Sequence, residues 1–251
     1  MNIDRMTRYD ARPGLLDGRV ILVTGAGDGI GRVVALAAAR AGATVILLGR
    51  TVSKLEAVYD EILEFGGPRP SIFPLDLSRA RGEDYDRLSG AIEQEWGRLD
   101  GLVQNAGILG ERAPIEYYDV ATWQRVLHVN LTAPFILCRC LLALMKKSED
   151  ASLVFTSSGV GREGKAFWGA YAVSKFGIEA LNEIIAAECG DLPNFRVNAV
   201  NPGPVRTSMR IAAYPGEDPD TLKTPAEILG VYLYLLGPDS RGVSGKSFDA
   251  Q

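Results

Sequence analysis

The chain has 251 residues, 47% of them hydrophobic and 23% charged, with a net charge of −4 at neutral pH. This is globular composition, long enough for one large α/β domain or two small ones, and it argues against disorder or a fibrous repeat. No basic run could track a nucleic-acid backbone, no uninterrupted apolar run approaches the ~20 residues of a bilayer span, and residues 1–13 are not signal-like, so a cytoplasmic protein without nucleic-acid or membrane partners is expected.

Residues 1–14 read as an N-terminal extension. Residues 19–24 (RVILVT) are a short apolar run suited to a buried parallel strand, and the glycine-rich stretch 25–31 breaks it before an alanine-rich helix over 32–41. A second strand over 44–48 leads to a helix over 54–65, and residues 66–70 force a turn. The alternation continues with a strand at 71–75, a charged helix over about 82–96, and a strand at 99–104 that ends in Asn105-Ala106-Gly107. A long apolar helix over 120–147, a strand at 152–156, a helix over 170–189 and a strand at 196–200 follow. Residues 224–236 make one more helix, with Pro225 in its first turn, and residues 246–250 a last strand.

Strands that are apolar throughout, alternating with helices, predict a parallel sheet covered on both faces. Right-handed crossovers make it a doubly wound Rossmann fold of about seven strands, and the unbroken rhythm places residues 15–251 in one domain. Ligands of such sheets bind beyond the carboxyl ends of the strands. Cys138, Cys140 and Cys189 contain no Cys-x-x-Cys pair and read as small hydrophobes, while His128 is the only histidine. No metal site is therefore expected, and a serine-histidine triad has a single residue to draw on.

The turn Thr24-Gly25-Ala26-Gly27-Asp28-Gly29-Ile30-Gly31 lies where backbone amides and a helix N-terminus can receive phosphate. Its glycines admit a close backbone approach to a pyrophosphate, although the spacing is not Gly-x-Gly-x-x-Gly, and glycines can also serve tight packing alone. After the second strand, where NAD-binding folds place a carboxylate for the ribose, stand Gly49 and Arg50. A guanidinium there favours the 2′-phosphate of NADP(H) over NAD(H), whereas Asp28 inside the turn pulls the other way.

Tyr171 and Lys175 are four apart at the start of a helix, on one face, and an ammonium beside a phenol would lower its pKa from near 10. Ser158 closes a strand at the edge where substrate should sit, and its hydroxyl can hold a carbonyl oxygen. Asn130 falls inside an apolar helix, where an amide often signals another duty. Each feature alone has an ordinary structural explanation; their order along one parallel sheet is what points to an enzyme.

These residues resemble the short-chain dehydrogenase/reductase family over nearly the whole chain, and residues 154–176, 222–226 and 247–251 resemble its bacterial YciK-like subgroup. The similar positions are the 24–31 turn, Asp76 followed by Leu77, Asn105-Ala106-Gly107, Asn130, Ser158, Tyr171 with Lys175, and Asn201-Pro202-Gly203 leading to Val205 and Thr207. The resemblance implies that Asp76 and Asn105 position the adenine side of the cofactor, and that Pro202, Val205 and Thr207 border the nicotinamide. It further implies that Ser158 orients the substrate oxygen, Tyr171 exchanges the proton, Lys175 contacts the nicotinamide ribose and acidifies the tyrosine, and Asn130 holds a relay water. Gln104 departs from the family, which usually has a second asparagine there.

The expected activity is interconversion of a carbonyl and an alcohol on a small molecule, with Phe167 and Trp168 walling the substrate pocket and residues 209–222 forming a lid or static packing. The alternatives are a cofactor-binding sensor or scaffold without turnover, and an isomerase, dehydratase or epimerase on the same scaffold. The two long apolar helices predict a homodimer or homotetramer.

Overall fold

The structure, a computed structural model, describes residues 9–251, so residues 1–8 of the expected extension lie outside the described residues. The remainder of that extension is tied down: the Tyr9 hydroxyl donates to Asp239 at 2.8 Å and its ring packs edge-on against Tyr234.

Seven parallel strands form one sheet in the order β3-β2-β1-β4-β5-β6-β7. They are β1 (Val20–Thr24), β2 (Thr44–Gly49), β3 (Ser71–Pro74), β4 (Gly101–Gln104), β5 (Ala151–Thr156), β6 (Phe195–Asn201) and β7 (Lys246–Asp249). Every residue of β1, β4 and β5 is buried, as expected for strands covered on both faces. The helices are α1 (Gly29–Arg40), α2 (Val52–Glu64), α3 (Gly82–Trp96), α4 (Val120–Leu127), α5 (Ala133–Met145), α6 (Gly169–Glu188), α7 (Ser208–Ala213) and α8 (Leu229–Leu236). Two apolar cores result: α1, α2 and α8 pack on one face, and α3, α5 and α6 on the other. The doubly wound Rossmann fold is therefore as the sequence predicts.

Local differences from the predicted elements follow. Helix α1 begins at Gly29 rather than residue 32, because the Asp28 carboxylate accepts from the Gly29 N–H at 2.8 Å and caps the helix there. The stretch expected as one helix over 120–147 is interrupted by a π turn, His128–Thr132, in which the Ala133 N–H reaches back five residues to the His128 carbonyl. Taken as one helix with its polar residues included, Val120–Met145 is long and apolar enough by composition to cross a bilayer, although it holds no uninterrupted apolar run of that length. Its residues Leu137, Leu141 and Met145 are instead buried in the core beneath the sheet. Finally, α7 is a helix within the segment read only as lid or packing, and α8 is preceded by a 3₁₀ turn, Pro225–Ile228.

The two ends of the sheet differ in character. At the amino ends of the strands, buried Asp150 pairs with Arg19 at 3.0 Å, with Arg196 and with Arg241 at 3.2 Å, and Asp100 accepts from the Val20 N–H at 2.8 Å. Charge there is consumed internally. The chain reverses its winding direction between β1 and β4, and the crevice this leaves at the carboxyl ends is where the site lies.

Candidate active site

A cleft of about 780 Å³ opens along the carboxyl ends of the strands, from Arg50 and Asp76 at one end to Trp168, Met209 and Ala213 at the other. Its floor is the glycine turn. Gly25 and Gly29 have φ of 69° and 52°, left-handed values that favour glycine. Gly31 lies behind the wall: a Cβ there would sit 2.4 Å from the Gly25 carbonyl oxygen and 2.5 Å from Asn105 Nδ2. It acts by packing helix against turn, while Gly25, Asp28, Gly29 and Ile30 face the cleft.

The Thr24 hydroxyl fixes the opposite loop by accepting from the N–H groups of Asn105 at 2.9 Å and Ala106 at 3.0 Å. Gln104 turns away, donating to the Pro134 carbonyl at 3.2 Å, so its departure from the family pattern leaves the Asn105-Ala106-Gly107 backbone in place on the cleft wall.

At the outer end Arg50 is exposed and lines the cleft, joined by Lys54 and Arg79. Lys54 is a residue the sequence reading misses, since only the fold brings α2 to the turn. Its ammonium binds the Asp28 carboxylate at 2.5 Å and, as the leading cause, holds that carboxyl below its ordinary range. The anion that argued against a 2′-phosphate is thus offset by a cation beside it. Asp76 accepts from the Ser78 hydroxyl at 2.7 Å and the Ser78 N–H at 3.0 Å, which lowers its pKa too, and Leu77 continues the wall.

A dinucleotide fits these residues on three counts. The floor is a cradle that side chains would fill, the outer end offers Arg50 and Arg79 beside the Lys54–Asp28 pair, and the buried Ser157 hydroxyl, on the cleft wall, has no hydrogen-bond partner.

The inner end brings Ser158, Tyr171 and Lys175 together. Ser158 follows β5 and lines the cleft with Tyr171, which stands in the first turn of α6. One turn on, the Lys175 ammonium lies 5.6 Å from the Tyr171 ring centroid and donates to the Thr156 carbonyl at 2.7 Å. Lys175 is only 4% exposed, and burial pushes its pKa down to about 8. Burial likewise pushes the Tyr171 phenol up to about 12, against a smaller lowering from the nearby Ser158 side chain. The acidified tyrosine expected from the Tyr171–Lys175 spacing is therefore not the state of the chain by itself. Desolvation favours the neutral form of both groups and outweighs their proximity.

Pro202, Gly203, Val205 and Thr207 line the cleft after β6, and Trp168 borders it beside Tyr171 at 5.6 Å between ring centroids. Besides Gly31, two expected site residues do not face it. Phe167 has φ 70° and is 52% exposed, turned outward from the wall. Asn130 is buried behind the wall, where its Oδ1 accepts from the Ile108 N–H at 2.8 Å and its Nδ2 donates to the Ile108 carbonyl at 2.9 Å and to Ser174 Oγ at 3.1 Å. In this arrangement Asn130 is a clamp on the loop after β4, presented by the π turn.

The comparisons with known proteins agree with this geometry. The short chain dehydrogenase family model matches residues 19–218. The chain is 49% identical over 243 residues to the uncharacterized oxidoreductase YciK of Escherichia coli K12, covering 97% of this chain and 96% of that one. A short-chain dehydrogenase from Shigella flexneri 2a strain 301, solved in complex with NADP, superposes with a TM-score of 0.93 at 49% identity, over 96% of this chain and 100% of that one. One from Escherichia coli CFT073, solved with NADPH, gives 0.93 at 50% identity over 96% and 99%.

The buried lysine yields a test by stability. Between about pH 8 and pH 10.5 the unfolded chain binds a proton at residue 175 that the folded chain has released, so this residue's contribution to stability rises with pH across that window. Lys175→Met removes that dependence. Its stability relative to the wild type should fall by roughly 2 kcal/mol between pH 7 and pH 10 in urea titrations. A pH-independent difference would show that Lys175 is not held in the low-pKa state.

Proposed function

The chain belongs to the short-chain dehydrogenase family and is an NAD(P)-dependent oxidoreductase of alcohol and carbonyl groups; from that premise we propose that Tyr171 is its proton donor and acceptor, with NADP(H) preferred to NAD(H). The observation that carries this reading is the joint placement of Tyr171, Ser158 and Lys175 at the inner end of the cleft that the glycine turn floors.

A nicotinamide nucleotide, when bound, supplies or takes up the two-electron equivalent. The turn residues Gly25 to Ile30 hold its phosphates, Asp76, Leu77 and the Asn105-Ala106-Gly107 strip its adenine side, and Pro202, Gly203, Val205 and Thr207 its nicotinamide side. Arg50 receives a 2′-phosphate, a role suited to a guanidinium and supported by the Lys54 ammonium that offsets Asp28. The relatives solved with NADP and NADPH support the same preference.

For reduction, Ser158 holds the substrate oxygen and Tyr171 Oη gives it a proton as negative charge develops there. The high phenol pKa serves this direction, because the donor is fully protonated at neutral pH. Oxidation needs the phenolate, and the Lys175 ammonium, kept in line by the Thr156 carbonyl, is the cation placed to support it. Asn130 secures Ile108 and so the loop against which the nicotinamide side rests.

The test is a panel of ketones, aldehydes and quinones offered with NADPH or NADH at matched concentrations. At least one should be reduced, faster with NADPH, at a rate level across pH 6 to 9, while the reverse oxidation climbs with pH up to about pH 8, where the Lys175 ammonium begins to be lost. Tyr171→Phe should bind NADPH normally and lose roughly a hundredfold to ten-thousandfold in turnover. Unchanged turnover would remove Tyr171 from its role, faster NADH oxidation would remove the cofactor preference, and tight NADPH binding with nothing reduced would favour a sensor.

Phe135 on α5 and Val173, Phe176 and Ile184 on α6 stay exposed, an apolar surface that supports assembly as a homodimer or homotetramer. Sedimentation at micromolar concentration should give one of those species, and a concentration-independent monomer would contradict it.

A further inference from the structure

We propose that Arg112 is a specificity-determining residue that latches α7 over the substrate end of the cleft and restricts the carbonyl partner to a compact, uncharged, apolar frame. This rests on the assignment of that end to the substrate through Tyr171.

Arg112 stands on the loop between β4 and the 3₁₀ turn Ile115–Tyr117. Its guanidinium lies 4.9 Å from the Trp168 ring centroid and 4.7 Å from that of Tyr214, and its Nη1 donates to the carbonyl of Ala213, the last residue of α7. One side chain therefore joins three segments: the loop after β4, the residue ahead of α6, and α7 with its C-cap. A guanidinium between two aromatic faces is a favourable electrostatic contact, and the carbonyl acceptor adds direction.

Apart from this latch and the apolar packing of Met209, Ala213 and Tyr214, the segment is attached at its ends. Val205 and Lys223 form a parallel bridge, and the Arg206 N–H donates to the Lys223 carbonyl at 2.8 Å, which closes residues 206–222 into a flap. Within the flap, Arg210 lies 3.9 Å from the Tyr214 ring centroid and grips Glu217 with two hydrogen bonds of 2.6 Å. The flap is thus internally stiff, and Arg112 fastens its middle to the body of the protein.

Beneath the latch, Val160, Trp168, Tyr171, Ala172 and Ala213 form an apolar cluster of their own, joined by Leu109 and Met209. Leu109, Trp168, Met209 and Ala213 wall the cleft beside the tyrosine. Arg210, which also lines the cleft, has its guanidinium committed to Glu217 and offers no open fork to a substrate carboxylate or phosphate. Arg125 also lines the cleft but is exposed to solvent and stands outside this apolar cluster, and an apolar chamber under a fastened roof selects against both bulk and charge. Arg112 itself is exposed, on the outside of the roof, so its removal leaves the core intact.

The test pairs amide hydrogen exchange with kinetics on the full chain, for the wild type, Arg112→Ala and Arg112→Lys. In Arg112→Ala, exchange of residues 206–222 should quicken at least tenfold, with an intermediate effect in Arg112→Lys. With NADPH, the ratio of kcat/KM for 2-decalone to that for cyclohexanone should rise at least tenfold in Arg112→Ala, and the wild type should reduce 4-oxocyclohexanecarboxylate at least tenfold less efficiently than cyclohexanone. Unchanged exchange and an unchanged ratio would overturn the latch, and preference for the carboxylate would overturn the uncharged frame. Faster exchange in Arg112→Ala with no ketone reduced by the wild type would leave the latch standing and sink the Tyr171 reading instead.

Discussion

A single ammonium, taken out of water and held by one backbone carbonyl, organises the inner end of this cleft. Burying the Lys175 side chain against Thr156 works against its charge, and the shift of its pKa from 10.5 to about 8 corresponds to roughly 3 kcal/mol. Such a group persists in a fold only where its surroundings over-determine it. Here α6 meets the 3₁₀ turn Gly159–Gly161 that follows β5 so closely that a Cβ on Gly161 would lie 2.8 Å from Lys175 backbone and side-chain atoms. That close approach fixes the first two turns of α6 against the strand end, and with them the position of Tyr171. The site therefore carries a stability cost in the place where the chemistry needs a cation, the usual relation between function and stability in enzymes.

The rest of the fold serves that arrangement by separating the roles of the two sheet ends. At the amino ends, charges such as Asp150 and its arginines are consumed by one another. At the carboxyl ends the backbone is tied by neutral groups, with the Thr24 hydroxyl between two N–H groups and the Asn130 amide on Ile108, and although Lys54 and Arg210 are paired with Asp28 and Glu217, Arg50 stands exposed on the cleft wall. The glycine turn adds the close approach that phosphates require, and Gly31 shows how little room it leaves.

Much of this is legible in the amino-acid sequence, and the parts that are not share a cause. The strands are legible because parallel strands buried on both faces are apolar throughout, as in VILVT of β1. Tyr171 and Lys175 are legible as a pair because four residues is one helical turn. The π turn is not, since His128–Thr132 lies between apolar helical stretches and reads as continuous helix, with Asn130 the residue in it that signals another duty. Phe167 misleads because one backbone angle reverses its side chain. Lys54 beside Asp28 and Arg112 beside Tyr214 are contacts between distant segments, invisible without the fold. The pKa of Tyr171 fails for a related reason: spacing reports the neighbour, while burial, which outweighs it, is a property of the packed whole.

The most direct test of the central claim is a crystal structure of the protein soaked with NADPH. The account requires the pyrophosphate on the amides of Gly25 to Ile30, the 2′-phosphate at Arg50, and the nicotinamide ring beside the Tyr171 hydroxyl with Lys175 in reach of its ribose. A nucleotide bound elsewhere, or one whose ring faces away from Tyr171, would contradict it.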